Sequence, residues 1–312
     1  MASGVMGAVG QQQNASAQAN AQNAAATSNY KYQLKVRERN WDREVHRYGR
    51  QLHQYDSQLQ ENSMAGQRAY DEAHIPGSYY VNLETTLSSP HIAGQTGRHP
   101  LPDKNVWISR VNEMGINPQV QVVVYDDAGG AMAARMWWML RWIGHENVAV
   151  LDGGWQAWQR EGLAVSAVIP EPAQRTDTDY DALPSLVSIV EADAVDGRNQ
   201  TLLDARELPR YKGDVEPLDP VAGHIPGAAC SPFSANLEAS GSFRTASELR
   251  KKFKQALESN KPIVCYCGSG VTAAHNILAL KVAGVDEVAL YPGSWSEWIT
   301  DAERPIASGD GD

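Results

Sequence analysis

The sequence is poor in the features that mark secreted, membrane-bound and nucleic-acid-binding proteins. Its three cysteines among 312 residues are too few and too unevenly placed for a disulfide framework, so we expect free thiols and a cytoplasmic location. No apolar run is long enough to cross a bilayer, and the chain begins without the cationic flank and apolar core of a secretory signal. Acidic residues outnumber basic ones by 37 to 27, which argues against nucleic acid and anionic membranes as partners.

The N-terminal part of the chain differs in composition from the rest. Residues 1–29 are rich in Ala, Gln, Asn, Ser and Gly, carry no charge and predict a disordered tail. Residues 30–62 predict an amphipathic helix, because apolar side chains recur there at heptad spacing: Leu34, Trp41, Val45, Tyr48, Leu52, Tyr55 and Leu59. This helix either packs on the folded body or mediates self-association as a coiled coil, and the sequence leaves both readings open.

The remainder, residues 64–312, contains an internal repeat. Three motifs recur in the same order: AHIPGS (73–78) as GHIPGA (223–228), VVVYD (122–126) as IVCYC (263–267), and VAVLDGGWQAW (148–158) as VALYPGSWSEW (288–298). A stretch at 170–184, rich in Pro, Ala, Asp and Thr, separates the two copies. We therefore predict a first domain at 63–169, a linker at 170–184 and a second domain at 185–312.

Each copy alternates apolar runs with helical patterns. In the second copy, TLLDAR, IVCYC and EVALY predict buried strands, VTAAHNILALKVAG predicts a helix ending at Gly284, and SWSEWITD predicts the start of a final helix. This alternation predicts an α/β fold in which each domain is a parallel sheet with helices on both faces. The first copy has the polar YDSQLQENS where a counterpart of TLLDAR should stand, so we expect its first strand to be missing and the first domain to be less stable.

A cysteine at the end of an apolar run carries the strongest chemical signal. Cys267 is followed by the turn Gly268–Ser269–Gly270 and by a helical pattern that starts at Val271 and Thr272. Glycine lets the chain turn tightly, so successive backbone N–H groups can point into one concavity at the positive end of the new helix. A thiol in that place ionises readily, and we predict that Cys267 is a nucleophile whose sulfur is reachable from solvent.

The same loop argues against two other kinds of chemistry. Ala273 stands six residues after the nucleophile, where a cysteine phosphatase needs an arginine to clamp phosphate. Cys265 and Cys267 lack the spacing of a zinc knuckle, so neither a metal nor another cofactor is expected. We predict that Cys265 and Cys230 are structural. In the first copy, Asp126 stands where Cys267 stands in the second, so the first copy is expected to be catalytically silent and to form one wall of a cleft between the domains.

Residues 64–312 resemble the tandem rhodanese-domain sulfurtransferases, and within them the 3-mercaptopyruvate sulfurtransferases. The motifs that carry the resemblance are CGSGVTA (267–273), the paired HIPG motifs, DARELPRY (204–211), WWMLR (137–141) and GSWSEW (293–298). The resemblance implies two rhodanese-like domains and transfer of sulfur from a small-molecule donor. Cys267 would take sulfur from 3-mercaptopyruvate as a persulfide, release pyruvate, and pass the sulfur to a thiol acceptor such as thioredoxin, or to cyanide.

The resemblance also implies roles for residues around Cys267. Arg210 matches the arginine that binds the substrate carboxylate, and Ser269 matches a serine that acts near the reacting sulfur. His74 matches the histidine that works with this serine, although a purely structural role in fixing the HIPG turn is equally open. The N–H groups of residues Gly268, Ser269, Gly270, Val271 and Thr272 would stabilise the thiolate and the persulfide.

The sequence departs from the family pattern beside the second HIPG motif. Relatives often have an arginine next to the position of Gly223, whereas this chain has the uncharged Pro220 and Val221 there. We therefore expect weaker carboxylate binding than is usual in the family.

Two alternative functions stay open on the sequence. A thiosulfate sulfurtransferase is the nearer one, although such relatives usually carry cationic residues after the cysteine, where this chain has Gly268 and Ser269. The other is a non-catalytic structural or virion-associated protein that retains a rhodanese body. The N-terminal segment, which faintly resembles the start of phage internal virion proteins, favours that reading, and the intact CGSGVTA loop opposes it.

Overall fold

The structure, a computed structural model, describes residues 64–171 and 183–310. The predicted tail at 1–29, the predicted helix at 30–62 and residues 172–182 of the predicted linker at 170–184 lie outside the described residues.

The first copy places two strands among four helices. In chain order it contains helical residues 64–72 (α1), α2 (Lys104–Glu113), β1 (Val122–Val124), α3 (Ala131–Trp142), β2 (Val148–Val150) and α4 (Gly154–Arg160). β1 and β2 pair in parallel, with Val122 opposite Val148. The start of α2 is capped by Asp103, whose carboxylate accepts the N–H groups of Asn105 and Val106.

The second copy forms a five-stranded sheet. Its elements are β3 (Ser188–Ile189), β4 (Thr201–Asp204), α5 (Leu208–Lys212), β5 (Ala228–Cys230), α6 (Ala246–Lys252), α7 (Lys254–Glu258), β6 (Ile263–Tyr266), α8 (Thr272–Val282), β7 (Val288–Leu290) and α9 (Ser294–Trp298), with short 3₁₀ turns at Ala192–Ala194 and Phe233–Asn236. The strand order is β3-β7-β6-β4-β5, and every pair is parallel. The three predicted strands and both predicted helices of this copy are confirmed, as is the α/β class.

The central strand β6 is buried on both of its faces. Ile263 and Cys265 point into a cluster that includes Leu249 of α6 and Ile277 of α8. Val264 and Tyr266 point into a second cluster, on the opposite face of the sheet, together with side chains of α5 and α9. Helices therefore cover both faces of this sheet, which places the carboxyl end of β6 among their termini.

The two copies share one hydrophobic core. Trp138 and Leu140 of α3 belong to the same buried cluster as Ile277 and Leu280 of α8. Burial of each such side chain contributes roughly 1.5–3 kcal/mol relative to exposure. The loop that precedes α3 is thereby held close to the second copy, and the loop that precedes α8 is held close to the first.

The described part of the first copy has a smaller sheet than the second. Among the described residues, β1 pairs with β2 alone, and residues 78–80, which correspond to β5 by the repeat, form no strand. A counterpart of β4 would precede residue 64 and so lies outside the described residues. The missing first strand therefore stays a prediction, as do the domain boundaries.

Candidate active site

The structure places Cys267 at the carboxyl end of β6, in the loop that leads into α8. The N–H of Gly270 donates a hydrogen bond to Cys267 Sγ at 3.2 Å. Gly270 has φ +78°, and a Cβ at this position would stand 2.3 Å from the carbonyl oxygen of Pro292, so the turn requires glycine. Val271 is buried and Thr272 begins α8, which completes the loop as the sequence predicted.

A second loop, residues 293–296, holds the backbone of the nucleophile. The N–H of Cys267 donates to Ser294 Oγ at 3.0 Å, and the carbonyl of Cys267 accepts the N–H of Trp295 at 3.0 Å. The carbonyl of Gly268 accepts the N–H of Ser296 at 2.9 Å. Ser294 itself lies in the left-handed region at φ +56°, where non-glycine residues are uncommon. These bonds determine the direction in which the Cys267 side chain leaves the backbone.

Cys267 is more enclosed than the sequence suggested. Cys267 is 2% exposed and Ser269 is 5% exposed, so the predicted solvent-reachable sulfur was wrong for this state of the protein. The reason is tertiary, since a segment of the first copy packs against the loop. A donor must displace or pass side chains before it meets the sulfur.

That segment is Gly97–Arg98–His99, and each of its residues meets the second copy. A Cβ on Gly97 would stand 2.5 Å from the carbonyl oxygen of Gly293, so only glycine allows this approach. Arg98 forms an ion pair with Asp219, and its N–H donates to Ser296 Oγ at 3.0 Å. His99 meets the loop that carries Cys267.

His99 joins Ser269 to a carboxylate. Its Nδ1 lies 2.6 Å from Ser269 Oγ, and its Nε2 lies 2.8 Å from Glu84 Oε1. Because a carboxylate can only accept, Nε2–H donates to Glu84, which leaves Nδ1 of the neutral ring to accept the Ser269 hydroxyl proton. Burial lowers the pKa of His99, against the opposing effect of Glu84, and so favours the neutral ring.

His74 does not make the contact that the family resemblance suggested for it. Its ring nitrogens lie 2.7 Å from the carbonyl oxygen of Tyr70 and 3.1 Å from that of Val168. His224 repeats the first of these contacts in the second copy, with Nδ1 at 2.8 Å from the carbonyl oxygen of Tyr211. Both histidines also stack on the tyrosine concerned. The HIPG histidines therefore share a structural role, and the structure gives the contact with Ser269 to His99.

Arg210 lies beside the loop, as expected for a substrate-binding group. It pairs with Glu216 at 2.7 Å and with Asp219 at 3.1 Å. Both of its terminal nitrogens would stand 3.5 Å from a Cβ on Gly268. Its side chain is 19% exposed, which makes it the more open of the two arginines that border Gly268.

Arg135 is a fully buried cation next to the same loop. From α3 of the first copy, it donates to the carbonyl oxygens of Gly270 at 3.2 Å, His99 at 3.0 Å and Leu87 at 3.3 Å. Burial lowers its pKa to about 10, and a negative charge on Cys267 opposes that change. The first copy thus places positive charge near the nucleophile.

The other two cysteines lie in surroundings that keep a thiol protonated. Burial raises the pKa of Cys265, which is completely enclosed, far above the ordinary value. Burial also raises the pKa of Cys230 to about 11, helped by Asp204 and Glu207. Neither is suited to act as a nucleophile near neutral pH.

Four residues beside the loop were not predicted from the sequence: Glu84, Arg98, His99 and Arg135. One signal could have pointed to three of them. The HIPG histidine and the following strand are 48 residues apart in the first copy (74 to 122) and 39 apart in the second (224 to 263). The extra residues fall in the region that supplies the segment Gly97–Arg98–His99.

Within residues 64–171 and 183–310, no group of three or more His, Cys, Asp or Glu side chains could hold a metal ion. No helix in the described part of the chain is long and apolar enough to cross a bilayer.

Known proteins similar to this chain identify its family. Residues 57–161 and 188–301 match the family model of the rhodanese-like domain. The chain is 46% identical over 258 residues to a probable 3-mercaptopyruvate sulfurtransferase of Pseudomonas aeruginosa, covering 80% of this chain and 89% of the relative. It is 41% identical over 247 residues to a putative thiosulfate sulfurtransferase of Mycobacterium tuberculosis, covering 78% and 86%.

A solved structure supports the same assignment. The 3-mercaptopyruvate sulfurtransferase from Leishmania major superimposes with a TM-score of 0.68 at 30% identity, covering 77% of this chain and 67% of that one. The repeat, the cysteine loop and these similarities lead to one conclusion: the chain belongs to the rhodanese-like family, carries its domain in two copies, and is a sulfurtransferase.

Proposed function

We propose that this protein moves sulfur from 3-mercaptopyruvate to a thiol acceptor through a persulfide on Cys267. The observation that carries the proposal is the setting of Cys267, whose Sγ accepts the Gly270 N–H at 3.2 Å while Arg210 borders the adjacent Gly268. A hydrogen-bonded sulfur beside a guanidinium suits a donor that carries both a thiol and a carboxylate. The similarity to a probable 3-mercaptopyruvate sulfurtransferase supports the same donor.

The first half-reaction balances without an outside oxidant. The Cys267 thiolate attacks the donor sulfur, an S–S bond forms, and the donor C–S bond breaks with its electron pair passing to carbon. The resulting enolate takes up the proton that the donor thiol gives up and becomes pyruvate. Cys267 is left as the persulfide anion. An acceptor thiol then attacks the outer sulfur, keeps it as its own persulfide, and returns the Cys267 thiolate.

In this proposal, the Ser269–His99–Glu84 chain handles the proton of this step. His99 Nδ1 is 2.6 Å from Ser269 Oγ and can accept the hydroxyl proton while Glu84 holds Nε2–H. Ser269 can then receive the proton of the donor thiol and deliver it to the enolate carbon. The neutral state of His99, favoured by burial, is the state this role needs.

The loop of the first copy suggests where the outer sulfur of the Cys267 persulfide would lie. The carboxylate of Asp126, the counterpart of Cys267, accepts the N–H groups of Ala128 and Gly130 on one oxygen and of Met132 and Ala133 on the other, at 2.7–2.9 Å. A carboxylate oxygen and the outer sulfur of a persulfide both lie two bonds beyond Cβ. The two loops are equally long, since each helix begins five residues after the aspartate or the cysteine. We infer that the second loop receives the outer sulfur as the first receives an oxygen.

The proposal also includes the sulfur acceptor and the cellular location of the protein. A reduced dithiol such as thioredoxin fits the second half-reaction, and a reducing cytoplasm would keep Cys267 free to react. Both remain predictions. Thiosulfate is the runner-up donor, since a relative at 41% identity is a putative thiosulfate sulfurtransferase.

The decisive experiment is mass spectrometry of the protein after it has been treated with 3-mercaptopyruvate and no acceptor. The wild-type protein should gain about 32 Da, the mass of one sulfur atom, on the peptide that contains Cys267, with release of one equivalent of pyruvate. Cys267→Ser should gain nothing. Absence of both the adduct and pyruvate from the wild type would rule the proposal out.

A matched variant and a second donor sharpen the result. Cys230→Ser should keep the adduct, because burial holds that thiol protonated. Thiosulfate at the same concentration should react more slowly. A faster adduct from thiosulfate would reassign the donor and leave the role of Cys267 intact.

A further inference from the structure

Three arginines around the candidate active site differ in what balances their charge. Arg98 pairs with Asp219, and Arg210 pairs with Glu216 and Asp219. Arg135 instead donates to three neutral carbonyl oxygens, and in the described part of the chain it forms no ion pair with a carboxylate. Two of the three positive charges are thus balanced by acidic side chains, and that of Arg135 is not.

A buried charge without a partner is costly, because it has lost the stabilisation that water gives to an ion. The Arg135 side chain is completely buried, and its Nε has no hydrogen-bond partner among the described residues. Burial lowers its pKa only to about 10, so the guanidinium stays charged at pH 7. The described group whose negative charge counteracts this effect of burial is Cys267.

The geometry places Arg135 close to the Cys267 sulfur, with one residue between them. The carbonyl of Gly270 accepts a hydrogen bond from Arg135 at 3.2 Å, and the N–H of Gly270 donates to Cys267 Sγ at 3.2 Å. Because both side chains are almost completely enclosed, water does not screen the attraction between them as it would at the surface.

The first copy shows the same loop without a cation. There the carboxylate of Asp126 accepts four backbone N–H groups, and the carbonyl of Gly129 meets His275, which is neutral at pH 7 because burial lowers its pKa to about 4. In the described residues, Cys267 Sγ accepts one N–H, that of Gly270. An anion with fewer hydrogen bonds depends more on a nearby positive charge. The cation therefore lies beside the loop whose anion has less support from the backbone.

We propose that Arg135 is the counter-ion of the ionised Cys267 sulfur, so that the first copy supplies the positive charge that stabilises this thiolate inside the protein. Arg135 does not touch the sulfur and acts on it through space and through Gly270, as a positioning residue. Its charge would also balance the persulfide anion on Cys267, and that extension rests on the proposed function.

Other charged and titratable groups lie around the strand and loop that carry Cys267. They are Arg98 and His99 of the first copy and Arg210, Lys252, Cys265, Tyr291 and Glu297 of the second. Of these, Lys252 changes its charge between pH 6.5 and 9, because burial lowers its pKa to about 8. The variants below leave all of these groups in place, so their contribution is common to wild type and variants.

The first test is the pH dependence of alkylation by iodoacetamide, a neutral reagent that attacks ionised thiols. The quantity measured is the rate at pH 6.5 divided by the rate at pH 9, on the peptide that contains Cys267. In Arg135→Met this quotient should fall roughly tenfold, because the thiolate has lost its counter-ion. A purely structural role would slow alkylation equally at both pH values, and an unchanged quotient would overturn the proposal.

Two further variants separate charge from hydrogen bonding. Arg135→Lys keeps the charge but cannot bind three carbonyls at once, so its quotient should stay within about threefold of wild type even if both rates fall. Arg141→Met, on the same helix, should leave the quotient unchanged. A quotient in Arg135→Lys as low as that in Arg135→Met would also contradict the proposal, because the charge would then have no effect.

A second test needs no variant of Arg135 and so does not depend on whether such a variant folds. Cys267→Asp and Cys267→Asn introduce side chains of nearly equal shape that differ in charge. The aspartate variant should melt higher than the asparagine variant, by about 3 °C more than the wild type melts above Asp126→Asn, since the first loop has the neutral His275 in place of Arg135. A difference no larger than that at Asp126 would refute the counter-ion role.

Both tests are independent of the sulfur donor. If the wild type failed to react with 3-mercaptopyruvate, the proposed function would be wrong, and the alkylation quotient and the melting temperatures would still decide the role of Arg135.

Discussion

The two copies build the same anion-binding loop and fill it with different groups. In the first copy the carboxylate of Asp126 accepts four backbone N–H groups and so occupies the loop permanently. In the second copy the shorter side chain of Cys267 accepts the N–H of Gly270 and leaves its loop able to take one more atom. The loop is therefore a property of the fold, whereas the group that it holds depends on one residue within it.

Each copy also donates a hydrogen bond to the loop of the other copy, but the two donor side chains differ in charge. Arg135 of the first copy donates to the carbonyl of Gly270, and His275 of the second donates through Nε2–H to the carbonyl of Gly129, the counterpart of Gly270. Burial lowers the pKa of His275 to about 4, so it is neutral at pH 7, whereas Arg135 stays charged. The cation is therefore beside the loop that must hold a thiolate, and the neutral ring is beside the loop that already holds a carboxylate.

The largest effect should follow from replacing Arg135, the cation beside the loop that carries Cys267. Arg135→Met deprives three buried carbonyls of their donor, and each such loss costs about 1–3 kcal/mol. We expect the free energy of unfolding to fall by about 3 kcal/mol and the alkylation of Cys267 at pH 7 to slow. Urea unfolding and the iodoacetamide rate measure the two effects.

Arg141→Met, on the same helix and only half-buried, provides the control. It should change the free energy of unfolding by less than about 1 kcal/mol, the usual range outside the core. Equal losses in the two variants would show that Arg135 has no special place in the interface.

A smaller effect should come from replacing His275, the neutral donor, and it should appear only at acidic pH. The pKa of His275 in the folded state lies below its ordinary value of 6.5, so protons bind the unfolded chain more readily. Its contribution to stability is therefore complete above pH 6.5 and is lost as the pH falls toward 4, by roughly 2–3 kcal/mol. In His275→Asn, the free energy of unfolding should decline less steeply across that window.

The same pH scan contains its own control. Between pH 7 and 8 the wild type and His275→Asn should show parallel stability curves, because the histidine is neutral in both the folded and the unfolded state. His99, whose pKa burial also lowers, should keep part of the acid slope in the variant. Identical slopes between pH 6.5 and 4 would contradict the assignment of a buried neutral His275.

The smallest effect concerns the strained residue behind the nucleophile. Ser294 at φ +56° corresponds to Gly154 at φ +55° in the first copy, so the catalytic copy alone carries a hydroxyl there, and it accepts the Cys267 N–H. Ser294→Gly exchanges a hydrogen bond for relief of backbone strain, each on the order of 1 kcal/mol. We expect an almost unchanged melting temperature and a roughly fivefold lower kcat.

Ser294→Ala separates the two contributions. It keeps the strained backbone and loses the bond, so it should melt at a lower temperature than Ser294→Gly while losing similar activity. Full activity in both variants would show that the Ser294 hydroxyl does not position Cys267.

Local patterns were sufficient to predict the sheet elements and the loop that carries Cys267. The strand β6 is a short apolar run, and Cys267 follows it directly before two glycines and a helix start, so neighbours in sequence determine its setting. The stop of α8 before Gly284, at φ +78°, depends on the same kind of local rule. Arg210 was found because its motif is contiguous.

The residues that were missed come from the other copy. Glu84, Arg98 and His99 lie more than 160 residues before the loop they serve, and no rule of periodicity or capping links such distant positions. The HIPG motif drew attention to His74 instead, yet its repetition at His224 marks a role that each copy needs for its own turn. The longer stretch between the HIPG motif and the next strand of the first copy was the only sign in the sequence, and it does not show which residues that stretch would contact.

The sequence by itself therefore determined the α/β class, the repeat and the place of Cys267 at the end of a strand, because hydrophobic periodicity and glycine-rich turns act over a few residues. Only the tertiary structure decided that Cys267 is enclosed, that His99 serves Ser269, and that Arg98 and Arg135 bring positive charge to its loop. The physical reason is that charge and hydrogen bonding act through space, and the packing of α3 on α8 sets which distant side chains come within reach.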